Sequence, residues 1–184
     1  MAITRLGPNQ SVNLASNVTG TLPVANGGTA LTSGFVNGTP AGTLSFSAYR
    51  NTDQTNLSNG SNTEIVFNAE TLDDNSVYDT STGRYTPGVV GTYYVEAMFT
   101  INDINSTSDD VYPKIFVNGS SSSPQLGQTR DGGASSVAFT AYHTSAVVKT
   151  TSTSDYMSVF VYHDAGGDRS IQSLLAWYSG FRLA

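Results

Sequence analysis

Few side chains in this sequence could do chemistry. It has two histidines, His143 and His163, and no cysteine. Both histidines sit in strand-like stretches among apolar or hydroxyl-bearing neighbours. That setting reads as a hydrogen-bonded histidine of a core or interface rather than as a base or ligand. Without cysteine there are no disulfides and no thiolate metal sites. Carboxylates gather in two places. Asp103, Asp109 and Asp110 share a turn-rich stretch with Asn102 and Asn105, and Asp164 and Asp168 flank Gly166-Gly167. Calcium takes hard oxygen ligands on loops, but the spacing of an EF-hand is absent, and acids in turns are common. There is no P-loop, no His-Glu-x-x-His pair and no Gly-x-Ser-x-Gly elbow. A glycosidase pair is not readable from spacing, because the separation of two carboxyls is a three-dimensional quantity. The expectation is a binding or structural protein and not an enzyme, with no catalytic residue, metal or cofactor. Its contact chemistry would come from three loops, Asn102–Asp110, Asn118–Gly133 and Asp164–Arg169. These are rich in the Ser, Thr, Asn, Tyr and Gly of adaptable recognition surfaces.

Composition narrows the partners. Charged residues make up 12% of the 184 residues, with a net charge of −6; about a quarter is usual. Ser, Thr, Asn and Gly fill the gap, as in extracellular and virion-surface β proteins. Phosphate binding needs clustered Lys and Arg, so nucleic acid is not expected. No apolar run is long enough to span a bilayer, so no membrane insertion is expected. Residues 1–20 lack an apolar h-region, which predicts synthesis in a cytoplasm without a signal peptide.

Charge divides the chain into two regions. Up to Thr43 the only charged side chain is Arg5, so all fourteen acidic residues lie beyond it. This first region has one aromatic residue, Phe35, and glycines at 7, 20, 27, 28, 34, 38 and 42. It holds too little apolar surface to offset its own ordering entropy. Yet Ile3, Leu6, Val12, Leu14, Val18, Leu22, Val24 and Leu31 recur at mostly even spacing, which puts them on one face of an extended strand. Residues 1–43 are expected to be an extended arm that orders against a partner. Residues 44–184 are expected to be the folded head.

The head reads as all β. In "TYYVEAMFTI" (Thr92–Ile101) the residues Tyr93, Val95, Ala97, Phe99 and Ile101 share a face. Further strands are expected over Val111–Val117, Val137–Val148, Asp155–His163 and Ser173–Leu183. Pro113 predicts an edge or irregular position for the first of these. Asn118-Gly119, Asp131-Gly132-Gly133 and Gly166-Gly167 are turn signals. Several strands between turn clusters, with no long 3.6-residue period, indicate a sandwich or jelly roll. Two strands are apolar on both faces. One carries Tyr156, Phe160 and Tyr162 opposite Met157, Val159 and Val161. The other carries Leu174, Ala176 and Tyr178 opposite Leu175, Trp177, Phe181 and Leu183. A second apolar face must be covered, which predicts an oligomer.

These stretches resemble the C1q-like head family. "FSAYRN" (Phe46–Asn51) is similar to its first strand. Phe67, Asp73, Tyr78, Tyr85, Gly91 and Tyr93 follow at the family's spacing. "YDTSTGRYTPGVVGTYYV" (Tyr78–Val95) is similar to its central stretch, and "WYSGFRL" (Trp177–Leu183) to its closing strand. Tyr85 stands where the family usually has Phe, and Val95 and Ala97 replace two aromatics. The likeness covers about residues 46–183. It implies a C1q/TNF-like jelly-roll sandwich of ten strands, assembled as a homotrimer. Phe67, Tyr78, Tyr85, Tyr93, Phe160, Trp177 and Phe181 would then lie in the core or the trimer interface. Some heads of this family bind calcium, which keeps the two acidic loops in view.

"GTLPVANGGT" (Gly20–Thr29) resembles a short element, G-x-LPVxxGGTG, of tail-fibre and appendage proteins of tailed bacteriophages. It implies attachment to other virion proteins through Leu22, Pro23, Val24, Gly27 and Gly28. No Gly-X-Y period precedes the head, unlike the collagen-bearing animal members. The two resemblances together imply a trimeric phage appendage adhesin on the virion surface, its head contacting a host glycan or protein. The alternatives are a capsid decoration protein that cements the shell and a non-viral bacterial C1q-like binding protein.

Overall fold

The computed structural model describes residues 44–104, 106, 108–119, 125–128, 131–132 and 139–183. Leu22, Pro23, Val24, Gly27 and Gly28, expected to attach the chain, fall outside the described residues. Twelve strand segments follow in order. The first six are β1 (Phe46–Tyr49), β2 (Gln54–Leu57), β3 (Thr63–Ile65), β4 (Ala69–Asp73), β5 (Tyr78–Asp79) and β6 (Arg84–Tyr85). Then come β7 (Thr92–Asn102), β8 (Asp110–Val117), β9 (Asp131–Gly132), β10 (Phe139–Lys149), β11 (Met157–His163) and β12 (Arg169–Arg182). The described residues contain no helix. The strands form two antiparallel sheets. The first runs β10-β7-β12-β1-β4, with β2 also on β12, and the second runs β5-β6-β11-β8-β9, with β3 also on β11.

Period-2 alternation decides what faces inward. Tyr93, Val95, Ala97, Phe99 and Ile101 of β7 are wholly buried, as are Met157, Val159 and Val161 of β11. Between the sheets lies an aromatic cluster. The Phe46 ring stacks on Tyr78 with centroids 4.7 Å apart, meets Tyr178 edge-on at 4.7 Å and contacts Tyr85 at 4.5 Å. Phe67, Tyr78, Tyr85 and Tyr93 are thus core residues. The Tyr78 hydroxyl donates to Phe67 O at 3.0 Å, Tyr85 to Leu44 O and Tyr93 to Val89 O. Gly91 O accepts from Thr150 N, and Gly91 N donates to the Thr150 hydroxyl oxygen, both at 3.0 Å, so two backbones meet there.

Pro113 falls as its missing N–H requires. Ile115 exchanges both backbone hydrogen bonds with Leu126 on the side away from β11. Pro113 has the same parity, so its nitrogen points to that side, beyond the reach of β9, which pairs only Asp110 and Val111.

One expectation is corrected. A register shift between Ile171 and Ala176 interrupts β12. Leu174 takes a positive φ of 61° and is 74% exposed, so it does not share the core face of Ala176 and Tyr178. The two doubly apolar strands also lie in different sheets. Their second faces are the opposite outer surfaces of the sandwich and do not form one continuous patch.

Gly180, in the closing "SGF", packs tightly against its neighbours β7 and β1 in the first sheet. A Cβ there would lie 2.8 Å from Val95 Cγ1, 2.9 Å from Phe46 Cε1 and 3.0 Å from Tyr94 O. Gly180→Ala is expected to destabilise the head by about 2 kcal/mol in urea unfolding, the usual cost of overpacking a core. A loss below about 0.5 kcal/mol, as at an exposed site, would show that these neighbours give way freely.

Candidate functional site

The outer surface of the first sheet presents ordered rows. Trp177 lies opposite Met98, and Met98 opposite His143; Phe181 lies opposite Tyr94, and Tyr94 opposite Val147. Phe181, Leu183, Leu175 and Leu72 are 41–47% exposed. Between the apolar rows sits Glu96, flanked by Ser179 and Ser145. Its carboxylate accepts from the Tyr94 hydroxyl at 3.1 Å and the Ser179 hydroxyl at 3.4 Å, with His143 Nε2 3.9 Å away. Trp177 and Phe181 are therefore surface residues of a single chain, available to an interface.

The second sheet carries the other candidate. Phe160 lies on its outer surface, half-buried, with its ring centroid 4.6 Å from that of Phe116. Toward the other end of β8 and β11, Tyr112 and Tyr162 meet edge-on with ring centroids 5.6 Å apart. Lys114 lies one rung along on the same face, opposite Phe160. Its Nζ is 5.7 Å from the Tyr112 ring centre and 5.4 Å from that of Tyr162, and it donates to Asn62 Oδ1 at 2.9 Å. Gln125 and Gln128 complete an open pocket of about 280 Å³ over this group. Lys114 is only 6% exposed. Its ammonium has no carboxylate within ion-pair distance among the described residues, and burial lowers its pKa from the ordinary lysine value. The Tyr112 hydroxyl donates to Asp110 Oδ2 at 3.2 Å, so this acid is engaged at the far end of that ring.

The loop bearing the two glutamines is built in by its flanks. Leu126 pairs with Ile115 at 2.9 and 3.1 Å. Gly127 has a φ of +63°, and a Cβ there would meet Thr144 Oγ1 at 2.4 Å and Ser145 O at 2.6 Å. Only glycine fits so close an approach in a left-handed conformation. The buried Thr144 hydroxyl donates to Gly127 O at 2.7 Å. At the loop's start, Asn118 donates to Asp155 Oδ1 at 2.9 Å. Asp155 Oδ2 accepts from Thr151 N at 2.7 Å and Ser152 N at 2.9 Å.

The remaining sequence candidates have local roles. His163 is fully buried, with Nε2 2.9 Å from Leu57 O, so this nitrogen donates the bond. Two acidic loops meet: Asp110 N donates to Asp164 Oδ1 at 2.6 Å, and Asp164 N to Asp110 O at 3.2 Å. Asp109 accepts from Ser106 N. Among the described residues no three acidic, histidine or cysteine side chains converge on a point where a metal could sit. Sequence reading included the loop Asn118–Gly133 but missed Lys114, Tyr112 and Tyr162 as a unit. The signal was in "VYPKIFV": Lys114 is its one charge, spaced by two from Tyr112 and Phe116 on one strand face.

No family model and no curated protein matches the chain. Solved structures do. Murine APRIL at pH 8.0 superposes with a TM-score of 0.55 at 10% identity, covering 76% of this chain and 98% of that one. The Eiger TNF of S. frugiperda gives 0.55 at 14% identity, covering 77% and 92%. The head therefore has the TNF-like jelly-roll fold.

Hydrogen bonds from Asn118, Thr151 and Ser152 lower the Asp155 pKa from its ordinary 3.8 to about 2. A carboxylate depressed on folding contributes stability above its unfolded pKa and loses it as pH falls toward the folded one. Asp155→Ala is expected to cost about 2 kcal/mol at pH 7 by orphaning these donors. The gap to the wild type should narrow between pH 4 and pH 2 in denaturation curves. A gap that does not change with pH would show that the carboxylate charge plays no part.

Proposed function

We propose that this chain is a surface protein of a bacteriophage virion, a homotrimeric appendage head that binds the host surface and is held to the particle by residues 1–43. The observation that carries the trimer is the outer face of the first sheet. Trp177, Phe181, Leu175, Leu183 and Leu72 give it an apolar frame around Glu96 and His143. Contiguous exposed apolar surface of this kind marks association, and a second and third copy are the occupants that the C1q-like resemblance implies. The phage assignment rests on "LPVANGGT" and on the low-charge, Ser/Thr/Asn/Gly-rich composition. Host binding rests on the second sheet, whose pocket faces away from the proposed trimer face.

Scattering at micromolar concentration is expected to give three chains per particle. Phe181→Asp should give monomers that stay folded, because Phe181 is 41% exposed in a single chain and burying a charge costs only where siblings cover it. A trimer at wild-type yield from that variant would place the interface elsewhere. Location is tested by electron microscopy of particles labelled with a Fab against the head. Label on the tail is expected. Label across the capsid would make the chain a decoration protein, and no label would remove the virion assignment.

A further inference from the structure

We propose that the pocket over Lys114 is a binding site for an acidic sugar, with the sugar carboxylate on the ammonium and the ring lying over Tyr112 and Tyr162. This deepens the host-binding reading and rests on it for its biology, though not for its chemistry.

The central fact is a cation without a counter-charge. Lysine is almost never buried unless paired, and a desolvated charge without an opposite partner is costly. Lys114 is 6% exposed, and among the described residues its one hydrogen-bond partner is a neutral amide oxygen, Asn62 Oδ1. Two aromatic faces offset part of the cost through cation–π attraction. Two of the three ammonium protons remain for a ligand. An incoming carboxylate would receive a charge-assisted bond in a poorly hydrated place, where such bonds are strongest.

The walls choose what carries the carboxylate. A volume of about 280 Å³ lies at the small end of ligand pockets, about 300–1,000 Å³, which suits one or two sugar rings. Tyr112 and Tyr162 offer apolar ring faces with hydroxyls at their tips. Gln125 and Gln128 are exposed amides that both donate and accept, as a polyhydroxylated ring requires. The charge balance selects a monoanion. Among the described residues a single ammonium faces the site, the chain carries −6, and Asp110 stands behind the Tyr112 hydroxyl. A phosphate dianion would meet one cation and that acid. The carboxylate is accordingly placed at the Lys114 end, away from Asp110.

The test uses the full chain and calorimetric titration with three acidic sugars: trigalacturonate, a glucuronate disaccharide and sialyl-lactose. Their carboxyl-reduced neutral counterparts, acetate and inorganic sulfate are titrated beside them. At least one acidic sugar is expected to bind, with its neutral counterpart at least tenfold weaker. Lys114→Met should abolish that preference. It should also fold, because replacing a buried charge by an apolar side chain of similar volume is neutral or stabilising; circular dichroism and elution volume check this. Tyr162→Ala should weaken acidic and neutral forms alike. The proposal is overturned if none of the three sugars binds, if neutral and acidic forms bind equally, or if Lys114→Met keeps the preference. It is equally overturned if acetate or sulfate binds as tightly as the best sugar, because the site would then read only an anion. Cell adsorption separates this proposal from the reading beneath it. A head that binds the sugar in the calorimeter but does not adsorb to host cells would keep the pocket and remove the adhesin. A head that adsorbs equally with Lys114→Met would keep the adhesin and remove the pocket.

Discussion

The head depends on one constraint: its aromatic core is largely tyrosine, and three of its buried phenols hold the backbone of connections. Burial raises the pKa of Tyr78, Tyr85 and Tyr93, so each remains a neutral donor. Each reaches a backbone carbonyl in a connection, at Phe67, Leu44 and Val89 respectively. A phenylalanine core would fill the same volume and leave those connections free. Here the packing of Phe46 against Tyr78 and Tyr85 fixes the chain entering β1, the crossing from β3 to β4 and the approach to β7 in the same step. Unmade hydrogen bonds cost more than made ones gain, so the core specifies the loops as well as filling the space between the sheets.

A second tie works from the side-chain amides. The Arg50 guanidinium, 5% exposed, donates to Thr52 O at 2.9 Å and to Gln54 Oε1 at 3.1 Å, and also to Val66 O. Gln54 donates to Glu64 O at 2.7 Å and accepts from Val66 N at 3.0 Å. The segment between β3 and β4 is thus held by side chains where no ladder is available. Arg50 belongs to "FSAYRN", so one short stretch supplies a core ring and the anchor of the next crossing.

Strand location was legible because alternation is a local property. "TYYVEAMFTI" alternates without a break, and the observed β7 adds only Asn102. The register shift in β12 was not legible. It is set by β2 pairing with one half of the strand and β1 with the other, and no local pattern at Leu174 announces it. Which sheet each doubly apolar strand joins is equally non-local. The pocket was half legible: Lys114 stands out in an apolar strand, but Tyr162 reaches it from fifty residues away only through the β8–β11 register, Tyr112 opposite Tyr162. Gln125 and Gln128 needed the Ile115–Leu126 bridge.

The glycine under the pocket loop has a second effect, on colloidal behaviour. Among the described residues β10 pairs only with β7, and its eleven residues would be a long template for a stray strand from another molecule. Gly127 lies against Thr144 Oγ1 and Ser145 O, near the middle of that rim. The loop therefore interrupts the open edge and leaves two short pieces in place of one continuous rail. The tight turn that carries the glutamines to Lys114 also caps the sheet against fibre-like growth, a protection that a protein displayed in many copies at close quarters would need.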